Sequence, residues 1–155
     1  MARLVDLLCG YRYEEEFSVG DHKIKMQTLW KEEEIDVIKS AQGLDMYGAI
    51  EAMKVPTLAR SIMSIDNVPF SAYQEVMDEL KKQKSSGIVI VDTVVACEKV
   101  LSEMDGGLVD ILYSFYLKLK NRRDEERAKL ANFTQPQKPG ESSSSAASSS
   151  SDQKS

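Results

Sequence analysis

Little in this chain is equipped for covalent chemistry. Its 155 residues contain one histidine, His22, and two cysteines, Cys9 and Cys97, with no Cys-x-x-Cys pair. A zinc site built from Cys and His needs more ligands than that. Nucleophilic catalysis also lacks a Cys–His or Ser–His motif to build on. No phosphate-binding loop, dinucleotide fingerprint or G-x-S-x-G elbow is present. Basic excess is missing too: the net charge is −5, with both signs mixed along the chain. That argues against a general nucleic-acid binder, which needs a cationic surface to displace counterions. Long apolar runs are absent as well. The longest, "SSGIVIVDTVVACEKVL", is broken by Asp92 and falls short of a membrane span. The start "MARLVDLLCGYRYEEE" is too short in apolar residues, and too soon acidic, for a signal peptide. The expectation is an acidic soluble protein with reduced thiols, no metal and no cofactor.

What is present is organised in two parts. From Thr134 onward the chain is dominated by serine, with Pro136, Pro139 and Gly140. Such a segment has too little to bury to offset the entropy of ordering, so residues 134–155 read as a disordered tail. Residues 1–133 are long enough for one domain with a modest core. "EEEFSVGDHKIKMQTL" alternates about Gly20-Asp21 and predicts a β-hairpin over about 14–28. "LWKEEEIDVIKSAQG" predicts a helix with Leu29, Ile35 and Ile38 on one face and Trp30, Glu34 and Val37 at its borders. Glu32, Glu33 and Glu34 fall in its first turn, where they complement the helix dipole. Consecutive residues point different ways around a helix, so these carboxylates do not converge on an ion. Gly43 closes it.

A second helical stripe, Leu44, Ile50, Met53, Leu58, Ile62 and Ile65, runs from about 45 to 65. Pro56 either kinks it or begins a second helix. Asp66-Asn67 and Pro69 then make a turn. Ser71-x-x-Gln74 reads as a capping box for a helix carrying Tyr73, Val76, Met77 and Leu80. A helix over about 89–103 follows, although its β-branched start also suits a strand. Gly106-Gly107 breaks it. The last helix carries Leu108, Ile111, Leu112, Phe115, Tyr116 and Leu119 on a wide apolar face, and turns charged beyond Leu119 as if leaving the core. The fold class is mainly α with an N-terminal β-hairpin: an α+β chain of about five helices and a Ser-rich tail.

Three stretches in this order, "FSVGDHKIKMQTLWKEEEIDV", "LARSIMSIDNVPF" and "LVDILYSFYLKLKNRR", resemble the tail assembly chaperones and related small tail-morphogenesis proteins of long-tailed bacteriophages. The likeness covers about residues 14–125. This chain departs from the family pattern at Asn67, where glycine is common, and at Pro56. The resemblance implies a non-enzymatic role: chaperone-like binding of the tape measure protein in the host cytoplasm while tube subunits assemble around it. In that reading "IDNVPF" is a joint that orients two helices into a binding surface. Trp30, Met53, Leu58, Ile62, Phe70 and Tyr116 are its candidate partner contacts. Tape measure, tube or baseplate subunits are the partners implied, with self-association open and neither nucleic acid nor membrane expected. One alternative is a structural baseplate, hub or neck component that stays in the virion tail. Another is a small enzyme with an unrecognised site. An apolar groove for amphipathic helices and an acidic exterior suit a chaperone. Seven methionines, which adapt to varied apolar surfaces, suit it too, and serve equally as core filling.

Overall fold

The computed structural model describes residues 12–87 and 90–134. Strands β1 (Glu14–Val19) and β2 (His22–Gln27) form the expected hairpin. Gly20 takes a φ of 60° at the first central position of its two-residue turn. That is the position where a type II′ hairpin needs glycine. Five helices follow among the described residues: α1 (Lys31–Ser40), α2 (Met46–Ser61), α3 (Gln74–Ser85), α4 (Thr93–Ser102) and α5 (Gly106–Thr134). The chain is thus mainly α behind an N-terminal hairpin, as the periodicities predict.

The sheet is larger than the sequence reading anticipates. Residues expected to end the second helix form β3 (Ile62–Ile65), and β4 (Val68–Pro69) follows it. The four strands pair antiparallel in the order β1-β2-β3-β4. The stretch "IDNVPF" is therefore the turn of a second hairpin, not a joint between helices. Its two central residues, Asp66 and Asn67, take φ values of 51° and 65°. Two successive left-handed residues are the mark of a type I′ turn, and Asp and Asn tolerate that region better than most. The helical misreading has a physical source. Met26 pairs with Ile62 and Lys25 with Ser64, so Met63 is an extra residue in a β-bulge. The bulge puts Ile62 and Ile65, three apart, on the same core-facing side. Spacing of three is a helical signature on paper.

Other boundaries also move. α2 runs unbroken through Pro56. Ser71 does not cap α3: it lies in a 3-10 turn over Phe70–Ala72, and Tyr73 occupies the N-cap without a side-chain bond. Burial of Phe70 and the Tyr73 hydroxyl, which donates to the Ile65 carbonyl at 2.6 Å, hold that turn against the sheet. α4 begins at Thr93, later than expected, because Asp92 accepts from the Val94 and Val95 amides and fixes the start there. The expectation for residues 88 and 89 lies outside the described residues. Gly106-Gly107 opens α5, and the break falls at residues 103–105. Gly43, at positive φ, ends α1 as anticipated, and Gly87, also at positive φ, follows the end of α3, where "KKQKSSG" closes on a glycine.

The core is one cluster. Ile24, Met26 and Leu29 from the β2 side meet Val37, Leu58, Ile62 and Val76, and Ala96, Cys97 and Leu101 of α4. Val109, Leu112, Tyr116 and Leu119 of α5 complete it. Phe17 of β1 stacks on Phe115 with ring centroids 4.8 Å apart. Two compact units divide the chain, residues 1–123 and 124–155. Of the second, residues 124–134 are described; they are helical, and Lys129 meets Glu126 at 3.6 Å on the surface. Thr134, the first residue of the expected tail, still belongs to α5, and the rest of that tail, 135–155, lies outside the described residues.

The tips of the two hairpins are latched together. Asp66 accepts from the Lys23 amide at 2.9 Å and lies 2.6 Å from Nδ1 of His22, while its own amide donates to the Lys23 carbonyl. The hydrogen bond to Asp66 raises His22 above its ordinary 6.5. The Lys23 amide, then His22, lower Asp66 below its ordinary 3.8. The histidine's contribution is full below the unfolded pKa and is lost as pH rises through the raised folded value. The carboxylate's is present above its unfolded pKa and lost as pH falls through the lowered one. The latch is thus tightest at mildly acidic pH. We expect an NMR titration of the His22 ring to give a midpoint above 6.5, and Asp66→Asn to return it toward that value; an unchanged midpoint in the variant would contradict the latch. For the turn itself, Asn67→Gly should be neutral or mildly stabilising. Asn67→Val should cost about 1–2 kcal/mol in urea denaturation, because a β-branched residue fits positive φ badly.

Candidate functional site

A buried arginine organises the surface that is best placed to act. Arg123, 4% exposed, donates to Oε1 of Glu34 at 2.9 Å and approaches the Leu29 carbonyl at 3.4 Å. The sequence reading has α5 leaving the core beyond Leu119; instead its buried face continues one turn further to this guanidinium. Next to Glu34, the Glu33 carboxylate accepts from the Trp30 amide at 2.8 Å and pairs with Arg12. The Arg12 guanidinium lies 4.5 Å over the Trp30 ring. Two carboxylates in successive positions therefore turn inward to two arginines. This overturns the predicted apolar face of α1. Val37 and Ala41 are the buried residues near its end, and Ile35 and Ile38 point outward.

The consequence is an apolar surface shared by α1 and α2. Ile35, Ile38 and Leu44 are exposed, as are Met46 at 79%, Tyr47 at 76% and Ile50. On α2, Met46, Ile50, Met53 and Thr57 follow the i, i+4, i+7, i+11 spacing of a single helix face. The lower end of that stripe enters a cleft of about 140 Å³ lined by Leu29, Glu34, Val37, Ile38, Met53, Thr57, Tyr113, Tyr116 and Lys120. Asp45 caps α2 by accepting from the Gly48 amide, and Lys54 ties α2 to Asp110 of α5 at 2.7 Å. The half of α2 that bears the exposed stripe is thus anchored at both ends.

Of the six partner contacts inferred from the sequence, Met53 and Tyr116 are brought together in this cleft. Met53 is half-buried there, and Tyr116 is a core residue whose phenol burial pushes up to about 12. Leu58 and Ile62 are core residues away from it, and Phe70 is buried beside the 3-10 turn. Trp30 is half-buried under Arg12. Ile38, Met46, Tyr47 and Ile50 are the surface residues the sequence reading passed over as contacts. An apolar residue on a predicted helix is assigned to the core by default, and only the rotation of α1 and the short buried half of α2 place these outside.

Burial raises the Cys97 thiol to about 11, which leaves it a protonated core group. His22 and Asp66 form a pair, but both are largely exposed and their remaining bonds go to backbone. Among the described residues no three His, Cys, Asp or Glu gather to hold a metal ion, and no helix is long and apolar enough to cross a membrane. No family model, curated protein or solved structure matches the chain.

The Arg123–Glu34 pair makes a direct prediction. Glu34→Gln removes a carboxylate from the buried Arg123 guanidinium and should cost up to roughly 3–5 kcal/mol in urea denaturation, the range for removing one partner of a buried pair. The double change Glu34→Leu with Arg123→Met should recover most of that loss. A single variant within 1 kcal/mol of the parent, taken as about the scale of a surface pair, would show the pair to be screened by solvent.

Proposed function

We propose that this protein is a non-enzymatic binding protein that receives an amphipathic helix on the α1–α2 surface, as a chaperone of phage tail assembly would receive its tape measure protein. One observation carries the reading. Exposed Ile35 and Ile38 of α1, with exposed Met46, Tyr47 and Ile50 of α2, stand on the two helices that supply Ile38 and Met53 to the cleft lined also by Tyr116. Contiguous exposed apolar surface of this kind marks an interaction site. A groove between two helices accepts a third helix through anchors at i, i+3, i+4 and i+7. Half-buried Met53 and exposed Met46 give the groove an adaptable floor and rim, which suits a long client with many similar segments. The net charge of −5 keeps such a complex dispersed. The resemblance of residues 14–125 to tail assembly chaperones supplies the client, a host-cytoplasmic site of action and release before the particle matures.

The test pairs a surface variant with a particle assay. Ile38→Asp and Ile50→Asp should leave the melting temperature within a few degrees of the parent, since both side chains are exposed. The same changes should weaken binding of helical tape measure fragments, read by calorimetry, by roughly tenfold or more. Mass spectrometry of purified particles should find the protein absent. Stoichiometric presence in mature particles would overturn the chaperone reading in favour of a baseplate, hub or neck component. Unchanged fragment binding in both variants would overturn the surface.

A further inference from the structure

A second cleft lies on other elements. β3, the 3-10 turn, α3 and α4 enclose about 360 Å³ lined by Ile65, Phe70, Tyr73, Val76, Val100 and Met104, with Glu75 and Glu103 also in its wall. The volume falls in the lower part of the range of roughly 300–1,000 Å³ found for ligand sites. Its floor is firm. Phe70 and Val76 are core residues, and the Tyr73 hydroxyl is already committed to the Ile65 carbonyl. Inside, then, the cleft offers hydrophobic contact. The polar character comes from two exposed carboxylates, Glu75 in the first turn of α3 and Glu103 at the end of α4. Lys99 meets Glu103 at 3.4 Å, with both side chains more than half exposed. A pair of that kind is worth little in water and exchanges readily for a better-placed cation.

We propose that this cleft is a second docking site, whose occupant is an apolar anchor side chain on a partner helix that carries Lys or Arg beside the anchor. The apolar lining takes the anchor. The two carboxylates complement the flanking cations and repel an acidic segment. Lys82 and Lys99 stand near the Glu103 carboxylate and set a limit on its pull, so Glu75 is the stronger of the two. The α1–α2 surface is formed by other elements, so the two sites are independent and the protein can hold two segments at once. Two linked contacts raise avidity without either being tight.

The experiment uses the full chain and two fluorescent peptides with the same Leu-rich helical face, one with Lys and one with Glu on the polar positions. The Lys peptide should bind by fluorescence anisotropy more tightly than the Glu peptide, with the difference shrinking at high salt; binding common to both belongs to the α1–α2 surface. The double variant Glu75→Lys with Glu103→Lys should weaken the Lys peptide by roughly tenfold or more, as should Val100→Trp, which fills the cleft. The charge variant alters only exposed groups, so its fold is checked by an unchanged melting temperature. The Ile38→Asp and Ile50→Asp variants should keep the preference for the Lys peptide over the Glu peptide. Equal binding of both peptides, or indifference to the charge reversal, overturns the inference. Loss of the Lys peptide in the Ile38→Asp or Ile50→Asp variants alone also overturns it, by moving the peptide to the α1–α2 surface and leaving the proposed function intact. Self-association abolished by Val100→Trp would name a second copy as the occupant and overturn it as well.

Discussion

The Arg123–Glu34 pair sets the orientation on which much of this surface depends. A guanidinium taken out of water must be met by a carboxylate and a carbonyl or it costs several kcal/mol. Glu34, in the first turn of α1, and the carbonyl of Leu29, just before that helix, meet it here. α1 is thereby rotated so that its acidic first turn faces α5. Glu33, one residue earlier, is drawn to Arg12 and closes over the Trp30 amide. With Glu33 turned inward, helical geometry leaves Ile35, two residues on, at the opposite side. Ile38, four residues after Glu34, stays beside it in the wall of the cleft and is exposed there.

The sheet supplies the rigid frame against which α2, α3 and α4 are arranged. β3 leaves α2 directly, with Ser61 donating to the Gln27 carbonyl at 2.7 Å as the chain turns into the strand. The bulge at Met63 keeps Ile62 and Ile65 on one face, and the Asp66-Asn67 turn brings the chain back within two residues. Asp66 then reaches across to Lys23 and His22, so one turn residue joins two hairpin tips. A two-stranded hairpin is marginal in water; four strands with a buried face are not. The anchoring of Phe70 and Tyr73 against this frame creates the second cleft.

The two clefts differ in kind. The α1–α2 surface carries Met46, Met53 and an exposed Tyr47, and it suits a client recognised by its apolar pattern. The cleft beside the 3-10 turn has a buried floor of Phe70 and Val76 and carries carboxylates in its wall, and it suits an anchor recognised by charge as well as shape. Neither contains a nucleophile with a base beside it.

Much of the framework is legible along the chain. The first hairpin follows from alternation around Gly20-Asp21, α5 from its repeating apolar face, and the ends of α1 and α3 from Gly43 and Gly87. The positive φ of Asn67 follows from its place in "IDNVPF". These are local properties: a few neighbours decide them through turn sterics, capping and periodicity. Three matters were not local. Ile62 to Ile65 became a strand because β2 offered an unpaired edge, and a bulge then disguised the period of two as a spacing of three. α1 turned Glu34 inward because an arginine 89 positions away in sequence needed a counter-charge, while Ile35 and Ile38 stayed exposed. Leu58 went into the core while Met46 and Ile50 stayed out, which depended on which half of α2 found something to pack against. Sequence determined the elements and their caps; the pairing of distant groups, whose energies no local window contains, decided which faces were left open for a partner.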